Sequence, residues 1–190
     1  MSNNFKRLFI IFMMFLFTMT IISCKKDNNK NKGYDGRTFD ISLNQDGKVQ
    51  AKTIQVGTNY ELIISGSGQA KSYDKKELVP WNAISKKITN VKIEEGIENI
   101  GNYFFYSCTL DSYFIPSSVI TIRHSAFRGC QHLETILIPS SVTTIQGYAF
   151  DSAIKLKIVL YDGSTSFSGC DSSSFTNTSP SFRVSSSLSF

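Results

Sequence analysis

The chain has 190 residues, 41% of them hydrophobic and 18% charged, which suffices for one packed domain of ordinary size with small additions. Its formal net charge is +5, but Lys6, Arg7 and the net three positive charges of residues 25–37 account for all of it. Nothing therefore supports a basic nucleic-acid-binding face on the folded part.

Residues 1–24, MSNNFKRLFIIFMMFLFTMTIISC, open with a short basic stretch and continue in an unbroken apolar run from Leu8 to Phe17. This is the layout of a secretory signal. Thr18, Thr20 and Ser23 argue against a membrane-spanning helix. Ile21-Ile22-Ser23-Cys24 resembles the bacterial lipobox. The resemblance implies cleavage before Cys24, lipid on its thiol and acylation of the new amino terminus. Several acyl chains on one residue make a stable anchor. The alternative is a plain signal peptide with an incidental cysteine. Residues 24–36, rich in Asn and Lys, are too hydrophilic to bury anything and read as a flexible tether.

In residues 37–87, Thr38–Leu43 alternates with period two, as does Val49-Gln50-Ala51. Asp46-Gly47 is a hairpin-turn signal and Gly57-Thr58-Asn59 marks a second turn. The pattern predicts two or three antiparallel strands that close the first end of the domain.

From Ile88 the chain repeats itself. Pro116 and Pro139, Val119 and Val142, Ile122 and Ile145, and Phe127 and Phe150 are all 23 residues apart. Ile93, Ile97, Ile100 and Phe105 stand 22 residues before Ile115, Val119, Ile122 and Phe127, and Cys108 precedes Cys130 in the same register. A weaker copy starts at Leu156 and carries Val159 and Tyr161 where Ile136 and Ile138 stood. A fixed period of this size marks a solenoid, whose units cannot bury their apolar faces singly.

One unit reads LETILIPSSVTTIQGYAFDSA. Leu133, Ile136 and Ile138 suit a turn entering a short strand, with Ile136 and Ile138 on one side. Pro139, which lacks an N–H, suits the strand's end, and Ser140-Ser141 a corner. Val142 and Ile145 return to the core. Gly147-Tyr148-Ala149-Phe150 predicts a tight or one-turn helical connection with Phe150 inside.

The segments IPSSVTTIQGYAF and IPSSVITIRHSAFRGC resemble the BspA-like leucine-rich repeats of bacterial surface proteins. Upstream, Leu62-Ile63-Ile64-Ser65-Gly66, Gly68 and Pro80-Trp81 are similar to that family's amino-terminal region, so the resemblance covers roughly residues 36–160. It implies a right-handed solenoid with a parallel sheet on its concave side. It also implies an exported cell-surface protein, with adhesion to host or neighbouring cells as the associated activity. It carries over no catalytic residues, and this chain departs from the family in being short.

The expected fold is thus a leucine-rich-repeat-like solenoid of short parallel strands with an amino-terminal antiparallel β cap. The expected division is a lipoprotein signal at 1–23, a tether at 24–36, the cap at 37–87, repeats at 88–163, and a Ser-rich tail or loose carboxy-terminal cap at 164–190.

Catalytic chemistry is not assembled by this sequence. His124 and His132 are the two histidines, and no His/Cys/Asp cluster has metal-ligand spacing. His124 reads as a surface residue on a turn. No G-x-S-x-G occurs, and neither a metal nor a cofactor is expected. Cys108 and Cys130 read as small apolar fillers, or as a disulfide between adjacent coils at a stacking distance of about 4.8 Å.

With Ile136 and Ile138 inside, alternation turns Thr135 and Leu137 outward. Stacking then predicts two outward columns. One is Asn90, Ser112, Thr135 and Ile158; the other is Lys92, Phe114, Leu137 and Leu160. A contiguous apolar patch of this kind often marks an interaction site. The expected function is a lipid-anchored bacterial surface protein, exposed at the outer membrane, whose repeat face (Lys92, Phe114, Leu137, Leu160, Ser112, Thr135) binds another protein, such as a host matrix or cell-surface protein. The alternatives are an envelope scaffold, or a truncated family member without its own ligand.

Overall fold

A computed structural model describes residues 34–161, 170–178 and 183–185, with only the backbone for Ile158, Leu160, Tyr161 and 183–185. Residues 1–24, where a leader and a lipidated Cys24 are expected, lie outside the described residues.

Three strands come first: β1 (Thr38–Asp40), β2 (Val49–Val56) and β3 (Asn59–Gly66), paired antiparallel in the order β1-β2-β3. In β2, Val49, Ala51 and Thr53 point inward, and in β3 Tyr60, Leu62 and Ile64 do, as the period of two requires. Gly57 (φ 63°) opens the two-residue turn between β2 and β3. Gly66 sits at φ 112°, and a Cβ there would collide with the Lys48 carbonyl oxygen.

β3 has a second role. It pairs parallel with β4 (Ile88–Ile93), with Ile64 opposite Ile93. Gly68 continues the match by bridging to Ile97. Asn99 completes it, because its side-chain amide donates to the Ala70 carbonyl (3.0 Å) and its carbonyl accepts from the Ala70 N–H (2.9 Å). The first sheet is therefore mixed, and its last hairpin strand also serves as a neighbour to the first repeat. The connection to β4 makes two 3-10 turns, Lys76–Leu78 and Asn82–Lys87. Between them Trp81 is fully buried: its ring meets Phe104 edge-on at 5.4 Å, and Nε1 donates to the Phe104 carbonyl at 2.6 Å.

The repeats continue as alternating short strands: β5 (Asn99–Ile100), β6 (Ser112–Phe114), β7 (Thr121–Ile122), β8 (Thr135–Ile138), β9 (Thr144–Ile145), β10 (Ile158–Tyr161) and β11 (Arg183–Ser185). All their pairings are parallel, in the orders β6-β8-β10-β11 and β5-β7-β9. Leu133, Ile136, Ile138, Val142, Ile145 and Phe150 are buried as the period predicts. Equivalent phenylalanines form a column: Phe105 to Phe127 at 5.0 Å, Phe127 to Phe150 at 5.2 Å, and Phe150 to Phe175 at 4.9 Å. These steps match the inter-strand spacing of a sheet. Burying each such ring or aliphatic chain contributes about 1.5–3 kcal/mol.

Phe175 lies in the Ser-rich stretch that the sequence suggested as a tail or loose cap. Residues 170–178 there form one more turn on the same column. Cys170 bridges to Ile145, Phe150 N–H donates to the Ser174 carbonyl (2.7 Å), and Ser152 N–H to that of Thr176 (3.0 Å).

One expectation is narrowed and another corrected. Of the connection expected, tight or one-turn helical, the tight turn is the form that occurs. Tyr103, Ser125 and Tyr148 stand at one repeat position with φ of 60°, 55° and 59°, and Ser107, Gly129, Ser152 and Asn177 stand four residues later at 57°, 72°, 61° and 52°. Two left-handed residues per turn break a helix, each at a cost of about 1–2 kcal/mol unless it is glycine. Each turn closes through short bonds of its own, such as Cys108 N–H to the Phe105 carbonyl (3.1 Å), and docks on the next: Phe105 N–H donates to the Ala126 carbonyl (2.8 Å) and Phe127 N–H to that of Ala149 (2.7 Å).

There is not one continuous parallel sheet, because β4 belongs to the first sheet and β6 starts another. At that junction Tyr113 takes the core position held by Ile136 in the next unit. Its ring packs between the Phe105 and Phe127 rings, at 6.2 and 5.9 Å.

Candidate protein-binding face

The ladder β6-β8-β10 places Ser112 opposite Thr135 and Thr135 opposite Ile158, then Phe114 opposite Leu137 and Leu137 opposite Leu160. Tyr113, Ile136, Ile138 and Val159 fill the interior. Phe114 is therefore turned outward and is 49% exposed, with Leu137 and Thr135 half-buried and Ser112 exposed. Leu160 is in register on the far side of Leu137. The predicted Leu137 neighbours are thus brought together.

Lys92 is not. It sits on β4, whose ladder places it opposite Ile63, and the break between β4 and β6 separates it from Phe114. The column expected to run from Lys92 to Leu160 is therefore divided between two sheets. Lys92 is exposed and pairs with Glu94 at 3.3 Å, while Lys157 and Glu134 pair at 3.6 Å beside the β8–β10 ladder. Both pairs are open to solvent and contribute little to stability. The Lys157–Glu134 pair sets charge of both signs beside that ladder.

The corners that carry the strands have a chemistry the sequence reading missed. The second serine of each Pro-Ser-Ser reaches back one repeat: Ser118 Oγ donates to the Ile97 carbonyl (2.9 Å) and Ser141 Oγ to that of Val119 (2.8 Å). In the first repeat Glu95 does related work, accepting from the Ser117 and Ser118 N–H groups and from the Ser117 hydroxyl. Partial burial would raise the Glu95 pKa, but these donors outweigh it and hold the carboxyl below its ordinary value. The recurrence of Ser-Ser after Pro was the available signal.

The remaining candidates are placed without forming a reactive site. His124 lies on a turn, edge-on to Tyr103 and Tyr148 at 5.6 Å each, and His132 is exposed. Cys108 and Cys130 are free, buried thiols, and Cys130 Sγ donates to the Phe105 carbonyl at 3.0 Å. Burial drives both far from the thiolate, Cys130 to about 12 and Cys108 well above its ordinary value. Cys170 borders a shallow cleft with Thr144, Gln146, Gly147 and Asp171, and burial raises its pKa too. Among the described residues no group of three or more His, Cys, Asp or Glu could hold a metal ion. Among the same residues no helix is long and apolar enough to cross a membrane.

The profile of the BspA type leucine rich repeat region matches residues 83–182 in six copies, more than half of the chain. The chain belongs to the BspA-type leucine-rich repeat family. The matched range runs beyond the Ser-rich boundary and takes in the turn of Phe175. No curated protein matches the sequence.

Among solved structures, a leucine-rich repeat protein from Eubacterium ventriosum is similar at 20% identity, covering 66% of this chain and 44% of that one, with a TM-score of 0.44. A leucine rich cell surface protein from Faecalibacterium prausnitzii is similar at 23% identity, covering 63% of this chain and 39% of that one, with a TM-score of 0.44. This chain spans less than half the length of either.

Proposed function

We propose that this BspA-type repeat chain is a lipid-anchored bacterial surface protein that binds another protein through the outward face of β6, β8 and β10. On this reading the repeats form a solenoid with β1–β3 as its amino-terminal cap, residues 1–23 are a signal, and residues 24–36 are a tether from lipidated Cys24.

The observation that carries the binding face is the ladder register, which sets half-exposed Phe114 beside Leu137 on a sheet of otherwise mixed polarity. Exposed aromatic residues ringed by polar groups are what the centre of a protein interface requires. Ser112 and Thr135 flank it in the same ladder, with Lys92 farther off as a rim charge. Among the described residues the cysteines are held as thiols and no group of three His, Cys, Asp or Glu is gathered, so the reading assigns no catalytic residue. The leader supports export and anchoring.

The test is binding of the full chain to immobilised extracellular-matrix proteins and to whole host cells, comparing the wild type with Phe114→Ser/Leu137→Ser. Saturable binding that the double variant loses, with an unchanged cooperative melt, is the expected outcome. Binding that survives the double substitution would remove this face from consideration. Incorporation of labelled fatty acid, lost in Cys24→Ser, checks the anchor separately.

A further inference from the structure

The turns of the repeats carry a feature that the sheet face does not account for and that packing on the core explains only at Tyr103. Four rings from three consecutive repeats make an unbroken row: Tyr106 to Tyr103 at 6.2 Å, Tyr103 to His124 at 5.6 Å, and His124 to Tyr148 at 5.6 Å, each pair edge to face. Each end carries a cation. Lys76 Nζ lies 4.5 Å from the Tyr106 centroid and donates to its hydroxyl at 3.3 Å, and the Arg128 guanidinium lies 5.5 Å from the Tyr148 centroid. The rings are partly exposed, Tyr148 most at 42%.

Two of the four are held against backbone preference. Tyr103 and Tyr148 sit in the left-handed region, at a position where Ser125 shows that the turn closes without a ring. A bulky residue in that region is strained, and strain retained at an exposed site points to use. The Tyr148 ring meets the His124 ring and the Arg128 guanidinium, both at the surface, so core packing does not explain it.

We propose that this row is a second binding strip, distinct from the sheet face, and that it takes an acidic polysaccharide of low charge density. Phenol hydroxyls and imidazole nitrogens hydrogen-bond sugar hydroxyls, ring surfaces pack against sugar C–H groups, and Lys76 and Arg128 meet spaced carboxylates. Asp151 does not oppose this, because it is buried beneath Arg128 with its oxygens occupied. Asp171 projects some negative charge toward His124. That disfavours a densely charged chain. So does the absence of net charge after Arg37. A single-stranded nucleic acid would require cations along the row and not only at its ends.

The experiment titrates the full chain with hyaluronate and polygalacturonate, using dextran, dextran sulfate and oligothymidylate as comparators, and compares wild type with Tyr148→Gly. The expected result is saturable binding to at least one of the two uronate polymers, weakened about tenfold in the variant. The variant's melting temperature should be equal or higher, since glycine relieves the strain. A lower melting temperature would show that the ring is structural and overturn the proposal. So would absence of binding to both polymers, equal binding by the variant, or stronger binding of dextran sulfate or oligothymidylate. Phe114→Ser is the control: it should leave uronate binding intact, so this strip and the sheet face can fail independently.

Discussion

On the amino-terminal side, the first repeat is held by side chains that occur once. Trp81 hydrogen-bonds the Phe104 backbone, Asn99 substitutes for a strand's hydrogen bonds at Ala70, and Phe39, Tyr73 and Phe104 pack around them. On the carboxy-terminal side, the last described turn is held by a further copy of the phenylalanine column and by one carboxylate. Thr176 Oγ1 (2.8 Å), Asn177 Nδ2 (2.8 Å), Ser152 Oγ (3.1 Å) and Arg128 Nε (2.9 Å) all donate to Asp151. The first arrangement is centred on Trp81, the single tryptophan of the chain, which no repeat copies. The second adds a unit by repetition and fixes it with polar contacts, which depend on pH as the first does not.

The sharpest way to break the comparison is Trp81→Ala. Removing a fully buried ring and its hydrogen bond should destabilise the protein by about 3–5 kcal/mol. In urea melts the midpoint should fall with the slope unchanged if the first sheet and the repeats unfold as one. A change of slope, or two transitions, would mean that the two regions are separately stable.

Asp151→Ala comes next, at about 2–3 kcal/mol near neutral pH, because it leaves several donors of a buried carboxylate without an acceptor. Arg128 is 41% exposed, so the ion pair itself supplies the smaller share. Burial raises the Asp151 pKa, but the hydrogen bonds from Thr176, Asn177 and Ser152 and the charge of Arg128 prevail and hold it below its ordinary value. A depressed carboxyl contributes stability that is fully present above its unfolded value, about 3.9, and is lost as pH falls through the folded one. Wild type and variant should therefore differ most near pH 7 and converge below about pH 4. A difference that stays constant down to pH 3 would assign the effect to packing.

What the sequence disclosed divides along the same line. The inner columns were legible because each apolar residue recurs at a fixed period, and burial of Ile136, Ile138, Val142 and Phe150 needed no further knowledge. The outward placement of Phe114 and Leu137 followed from strand alternation alone. The break before β6 was not legible, since Tyr113 fits the apolar pattern and is buried in the core as Ile136 is in the next unit. The turn of Phe175 was hidden by spacing: it stands 25 residues after Phe150 where the earlier steps are 22 and 23. The left-handed positions were masked by Tyr and Ser where glycine would have announced them, Gly129 excepted. The Tyr103–Tyr148 row depends on that geometry and went unseen with it.

The smallest effect tests whether the turns carry strain at all. Ser107 occupies the position of Gly129 at φ 57°, and no hydrogen bond from its hydroxyl supports it there among the described residues. Glycine removes a penalty of about 1–2 kcal/mol and adds about 0.5–1 kcal/mol of backbone entropy to the unfolded chain. Ser107→Gly should therefore stabilise by about 0.5–1 kcal/mol and raise the melting temperature by roughly 2 °C. The N–H of residue 107 would still donate to the Arg128 carbonyl (2.9 Å in the wild type), so the link to the next repeat is unaffected. A thermal melt that moves downward would mean that the turn conformation is imposed without strain by its neighbours. Strain would then be lost as a reason for Tyr103 and Tyr148, whose retention against backbone preference sets the turn face apart from the core.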